Sequence, residues 1–180
     1  MPTEALFAQP AVRRVLQSVQ GKSYDHTHAA YQQFLTRDPV LMHRFQALHG
    51  DCYLLTNGTQ SHAIASTHAL GLYPYLTHMV HANSGVGLKP YAGPYTRLEQ
   101  LVRSRHAPHV PADHPASLPP IVFFDDRVEN HQYPKQRGWT TVWIYPPATT
   151  TMVRPPFVDY VFPNVYMALE YFLMVQDSNR

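Results

Sequence analysis

This 180-residue sequence predicts an α/β domain with a parallel sheet covered by helices on both faces, and three features carry that prediction. Its strand candidates are short and continuously apolar instead of alternating, as expected for strands buried on both sides. Helix-like segments separate them, the pattern of a wound parallel sheet. The polar signatures cluster where strands end, the edge at which such sheets bind ligands. In chain order, Glu4 to Val19 reads as an amphipathic helix with Leu6, Val12, Val15, Leu16 and Val19 near one face, stopped at Gly21. His26 to Leu35 reads as a second helix. A third starts at Asp38-Pro39, a cap followed by proline in the first turn, and stops at Gly50. Strands are then expected at Cys52–Thr56, His78–His81, Ile121–Phe124, Thr140–Ile144 and Tyr160–Phe162. Helices follow from Asn57-Gly58 to Leu70, over Tyr91–Arg103, through Gln136 to Gly138, and from Asn164 to Met174.

Composition bounds the remaining possibilities. Hydrophobic residues make up 44% and charged residues 14%, an ordinary globular balance. The formal charge of +2 with neutral histidines gives no basic field of the kind that recruits nucleic acid. No apolar stretch approaches the roughly 20 residues that span a bilayer, so no membrane role is expected. One cysteine, Cys52, excludes an internal disulfide framework and fits a cytoplasmic, reducing compartment. The 17 prolines concentrate in Pro108–Pro120 and Pro146–Pro156, which read as loops. A single folding unit is expected, with a helical segment over 1–50 and the α/β core over 51–180.

Three segments carry chemistry. Thr56, Asn57 and Gly58 end an apolar strand with a hydroxyl, an amide and a glycine, a combination that can hold phosphate oxygens with backbone N–H groups. Alone, Asn-Gly after a strand is more often a turn. Lys89, in Gly87-Leu88-Lys89-Pro90, stands just before a helix, where it can neutralise a phosphate or pair with a carboxylate. A surface lysine is the bland alternative, yet only Lys22, Lys89 and Lys135 occur. Asp125 and Asp126 end the clearest strand, with Asn130 one turn on; paired carboxylates suit a hard cation such as Mg²⁺. One aspartate would serve equally as a helix cap. The histidine pairs His26/His28, His78/His81 and His106/His109 lack zinc-site spacing and read as scattered side chains. Cys52 and the aromatic residues read as packing.

In order, these segments resemble the second, third and fourth motifs of the haloacid-dehalogenase-like hydrolase superfamily. The likeness is to its pyrimidine 5′-nucleotidase-like branch. His62-Ala63, Leu70-Gly71-Leu72, Lys89-Pro90 and Asp159-Tyr160-Val161 with Pro163-Asn164 fit that pattern, and the resemblance spans Tyr24 to Leu173. It implies a Rossmann-like sheet, an N-terminal remnant of a helical cap, phosphate contacts at Thr56, Asn57, Gly58 and Lys89, and a Mg²⁺ site at Asp125, Asp126 and Asn130. It also implies an Asp-x-Asp pair after a first, central strand: a nucleophile that takes the phosphoryl group and a general acid beside it. No Asp-x-Asp precedes Thr56, where only Asp25, Asp38 and Asp51 occur. Asp25 lacks a strand before it and reads as a helix cap, as does Asp38; Asp51 precedes the second-motif strand.

Without the central strand, the strands leading to Thr56 and Asp126 are expected either to pair directly or to have the gap filled by another segment. Direct pairing would bring the two ends one strand spacing closer, about 4.8 Å. A homo-oligomer or a partner chain completing the sheet is one such solution. The expected function is therefore a degenerate phosphatase or nucleotidase domain without turnover, acting by binding or assembly. The alternatives are an active Mg²⁺-dependent phosphatase with an unconventional nucleophile or a borrowed strand, and a module that binds a phosphorylated small molecule.

Overall fold

The computed structural model describes residues 35–109, 118–145 and 153–178. The helices read over Glu4–Val19 and His26–Leu35, and Asp25 with them, fall almost wholly outside these. The first described helix, α1 (Pro39–Ala47), starts as its sequence dictates: Asp38 accepts from the Leu41 N–H at 2.9 Å, and Pro39 occupies the first turn, where no donor is needed. The chain then alternates through β1 (Cys52–Leu55), α2 (Gln60–Ala69), β2 (Leu76–Val80), α3 (Ala92–His106), β3 (Val122–Asp125), α4 (Gln132–Gln136), β4 (Thr140–Ile144), β5 (Tyr160–Phe162) and α5 (Val165–Ser178).

Among the described residues every strand pairing is parallel, and the strands fall into two sheets. One is β1–β2; the other has the order β3–β4–β5. Among the described residues, β1 and β3 neither pair with each other nor share a strand between them, so the expected direct pairing is not realised. β2 begins two residues earlier than its expected start at His78 and ends at Val80. His81 has left the ladder to open a 3-10 turn over Ala82–Ser84.

Helices cover both faces and hold the half-sheets together. On one face α1, the end of α2 and α5 close a core of Leu41, Phe45, Leu70, Leu72, Val165 and Leu169. On the other, α3 lays Tyr95, Leu98 and Val102 across Leu55 and Val80 from the first half-sheet and Phe123 from the second. Tyr95 is the centre of this layer. Its ring meets Phe123 and Trp139 edge-on, with centroids at 5.8 and 6.0 Å, and stacks on Tyr133 at 5.3 Å. Such contacts add roughly 0.5–1.5 kcal/mol each beyond area burial.

Between β1 and β3 lies a slot of about 650 Å³. Its side walls are the two strands, through Cys52, Tyr53 and Leu55 on one side and Val122, Phe123 and Phe124 on the other. Phe45, Leu169 and Phe172 close one face, and Leu98 and Val102 the other. Cys52 is half-buried in this wall, and burial pushes its thiol above its ordinary pKa.

Two carboxylates brace the periphery. Asp51 accepts from Arg105 Nε at 2.5 Å, from Thr77 Oγ1 at 3.1 Å, and lies 2.8 Å from His106 Nε2. Asp159 holds Lys135 at 2.5 Å and the Thr141 N–H at 2.9 Å. In both, partial burial raises the pKa, but these hydrogen bonds outweigh it and leave the carboxyl below its usual value of 3.8. A depressed carboxylate stabilises the fold above its unfolded pKa and loses that contribution as pH falls through the folded one. The urea midpoint should therefore be flat above about pH 5 and fall below about pH 4. In a pH series Asp159→Asn should show a shallower acid-side fall than the parent; an unchanged slope would remove Asp159 from the cause.

Candidate functional site

The carboxyl ends of β1 and β3 meet through one side chain, Lys89. Asn57, just past β1, clamps the Lys89 backbone at two points: its Oδ1 accepts from the Lys89 N–H at 2.8 Å and its Nδ2 donates to the Lys89 carbonyl at 3.0 Å. An amide side chain thus pairs with a backbone unit as a neighbouring strand would. The lysine reaches across to β3, where Nζ donates to Asp125 Oδ2 at 2.5 Å. Both ends of this ion pair are almost wholly buried, the side chains being 4% and 0% exposed. Nζ also lies 5.8 Å from the centre of the Phe123 ring. Lys89 is therefore not the surface lysine of the bland reading.

Asp125 is occupied on both oxygens. Oδ1 accepts from the Arg127 N–H and from Asn130 Nδ2, each at 2.9 Å, while Oδ2 takes the lysine. Asn130 is buried beside it, and its carbonyl accepts from Tyr95 Oη at 2.8 Å. Burial, then the nearby Asp125 and Glu129 charges, push the Tyr95 phenol far above its ordinary pKa, so it stays a donor. The Asp126 backbone carbonyl accepts from Trp143 Nε1 at 2.8 Å.

Thr56 is buried, and its backbone N–H continues the ladder to the Val80 carbonyl at 2.9 Å. Its hydroxyl accepts from the Gly58 N–H at 3.0 Å, so that N–H is committed to the turn. A Cβ at Gly58 would lie 3.0 Å from the His62 ring and 3.3 Å from Thr56 Oγ1, so the turn is tightly packed. Thr56, Asn57, Lys89, Asp125 and Asn130 are thus brought to one end of the molecule, with Asn57, Lys89, Asp125 and Asn130 in one hydrogen-bonded chain.

A resident Mg²⁺ does not fit this donor set. Mg²⁺ needs near-octahedral oxygen ligands at about 2.0–2.1 Å. Asp125 already takes three donors, Lys89 Nζ, the Arg127 N–H and Asn130 Nδ2, and among the described residues no three His, Cys, Asp or Glu side chains gather as a ligand group. Asn130, expected as a ligand by resemblance, donates to Asp125 through Nδ2.

The loop that presents Lys89 is fixed by close approach to α3. A Cβ on Gly93 would fall 1.9 Å from the Val86 carbonyl oxygen, a backbone atom. Gly93→Ala should thus destabilise by about 1–3 kcal/mol despite alanine's better helix propensity, because the loop must move. A rise in the urea midpoint would contradict this placement.

The architecture is similar to that of solved haloacid-dehalogenase-like proteins. The chain superposes on the HAD-hydrolase YfnB of Bacillus subtilis, solved bound to magnesium, with a TM-score of 0.54 and 17% identity over 74% of this chain. It also superposes on L-2-haloacid dehalogenase of Xanthobacter autotrophicus, solved with chloropropionic acid covalently bound, at 0.57 and 14% over 89%. The fold is haloacid-dehalogenase-like. The chain spans 53% of the length of the Bacillus protein and 72% of the Xanthobacter one. No family model matches the sequence, and no curated protein is significantly similar to it.

Several residues that build this site gave no signal in the sequence. Glu99 is buried and accepts from Arg137 Nε at 3.0 Å, Arg137 Nη2 at 2.8 Å and Trp139 Nε1 at 3.2 Å. This carboxylate raises the guanidinium's pKa through hydrogen bonding. His131, read as one more scattered histidine, is fully buried, with Nδ1 3.1 Å from the Arg127 carbonyl and Nε2 3.1 Å from that of Val142. It ties the turn after Asp125 to β4.

Proposed function

We propose that this chain is a HAD-like domain, derived from the pyrimidine 5′-nucleotidase-like branch, that does not itself hydrolyse phosphate esters and acts through assembly, in the cytoplasm. The observation that supports this reading is the state of Asp125. Its carboxylate is buried against Lys89, the Arg127 N–H and Asn130, a self-satisfied structural ion pair in place of a charge waiting for metal or phosphate. Phosphoryl transfer by this fold's chemistry needs an attacking carboxylate facing that site, and no Asp-x-Asp precedes Thr56. A phosphate-binding role at Thr56, Asn57, Gly58 and Lys89 is less favoured, since the Gly58 N–H and the Lys89 ammonium both have internal acceptors.

The test is an assay of the chain with nucleoside monophosphates and p-nitrophenyl phosphate in Mg²⁺. No turnover above buffer is expected. Robust hydrolysis abolished by Asp126→Asn would overturn the proposal in favour of an active phosphatase. Loss of such activity in Asp25→Asn would then assign the nucleophile.

A further inference from the structure

Asn57-Gly58 is the one Asn-Gly step in the sequence, and that dipeptide carries a reaction of its own. The glycine backbone nitrogen, unhindered by a side chain, can attack the asparagine Cγ. An N–Cγ bond forms, the Cγ–Nδ2 bond breaks, the Gly58 nitrogen gives up its proton, and ammonia leaves. The cyclic imide so formed takes up water at either carbonyl. Opening at Cγ gives aspartate; opening at the main-chain carbonyl gives isoaspartate, linked onward through its side chain. The net change is ammonia lost and water gained.

In the folded chain every atom this reaction needs is hydrogen-bonded elsewhere. Asn57 Oδ1 accepts from the Lys89 N–H at 2.8 Å, and Nδ2 donates to the Lys89 carbonyl at 3.0 Å. To present Cγ to Gly58, the side chain must give up both bonds. The Gly58 N–H donates to Thr56 Oγ1 at 3.0 Å, which holds the proton that the attack must remove. The Gly58 carbonyl in turn accepts from the Ala82 N–H at 2.9 Å, tying the turn to the end of β2.

We propose that Asn57 is a spontaneous modification site controlled by its own clamp: it keeps its amide while it holds the Lys89 backbone, converts to aspartate and isoaspartate when the clamp opens, and cannot then restore it. The irreversibility follows from the products. In aspartate an acceptor oxygen replaces the donor Nδ2 and would face the Lys89 carbonyl with no proton between them. In isoaspartate the main chain is longer by a methylene between Thr56 and Gly58, and no carboxamide remains to pair with Lys89. Either product loosens the loop that carries Lys89 to Asp125. A chemical event at the end of β1 thus reaches the buried ion pair on β3.

The test holds the full chain in mildly alkaline buffer beside a synthetic peptide of residues 53–61. Peptide mapping by mass spectrometry, resolving asparagine, aspartate and isoaspartate, follows both. The folded chain should react at least about tenfold more slowly than the peptide, since only its opened fraction reacts. Across a urea series below the unfolding transition, the Asn57 rate and hydrogen exchange at the Lys89 amide should rise together, because both need the clamp open. Thr56→Val, which removes the acceptor of the Gly58 N–H, should speed the reaction, and Thr56→Ser should not. The urea series uses the parent chain alone, so it decides the question even if a Thr56 variant fails to fold. The modified chain, separated by ion exchange, should exchange its Lys89 amide faster than the parent. A folded chain that reacts as fast as the peptide would overturn the proposal, and so would a rate that rises only with global unfolding. Unchanged exchange at Lys89 after modification would overturn the loss of the clamp.

Discussion

Replacing Asp125 with alanine should cost about 3–5 kcal/mol of folding stability, the penalty for leaving one member of a buried ion pair uncompensated. The effect is large because three donors lose their acceptor together: the Lys89 ammonium, the Arg127 N–H and Asn130 Nδ2. Lys89 cannot swing to water without breaking the two-point clamp that Asn57 holds on its backbone. Guanidinium unfolding of the single variants and of the Lys89→Met/Asp125→Leu double variant closes the cycle. The double variant should be more stable than Asp125→Ala by at least about 2 kcal/mol, since an apolar pair of similar volume carries no stranded charge. A loss below about 1 kcal/mol in Asp125→Ala would show that the pair is solvated and behaves like a surface salt bridge.

Trp139→Ala should be comparably damaging, about 3–5 kcal/mol, for a different reason. Its ring is 3% exposed and packs edge-on against Tyr95 and Phe123, so truncation opens a cavity where α3 spans the two half-sheets. Glu99 meanwhile keeps Arg137 but loses the indole donor. Trp139→Phe separates the two contributions: it refills most of the cavity and loses only the hydrogen bond, so its cost should be about 1–3 kcal/mol. Equal losses in the two variants, measured by denaturant midpoint at constant slope, would show that the hydrogen bond and not the packing dominates.

The strands were the most legible part of the sequence. Cys52–Leu55, Val122–Asp125 and Thr140–Ile144 are apolar or β-branched runs bounded by turn residues, and burial on both faces leaves little else they can be. β2 was misplaced because its first residues, Leu76 and Thr77, follow Tyr-Pro-Tyr and read as part of a turn, while His81 looks like strand but serves a 3-10 turn. At the site, Lys89 and Asp125 were legible because each sits at a punctuated strand or helix boundary, and pairing with a carboxylate was one of two expected roles for the lysine. Tyr95, Glu99 and His131 were not legible. Each is a lone polar residue inside a helix or turn, and its acceptor or donor lies elsewhere in the fold: Asn130 for Tyr95, Arg137 and Trp139 for Glu99, Val142 for His131. Nothing in local spacing announces such a contact. The split sheet was only half legible: direct pairing of the strands leading to Thr56 and Asp126 was one expectation, whereas among the described residues β1 and β3 stand apart with helices on both faces.

That division of the strands has a kinetic consequence. β1 pairs with β2, β3 with β4 and β4 with β5, each across one crossover, so every strand pairing among the described residues joins neighbours in sequence. Low sequence separation favours rapid folding, and the two half-sheets can each form before they meet. Their meeting is then recorded by the Lys89–Asp125 contact and the α3 layer, which makes those the late-forming parts of the structure and leaves the rate of unfolding, more than the rate of folding, to report on them.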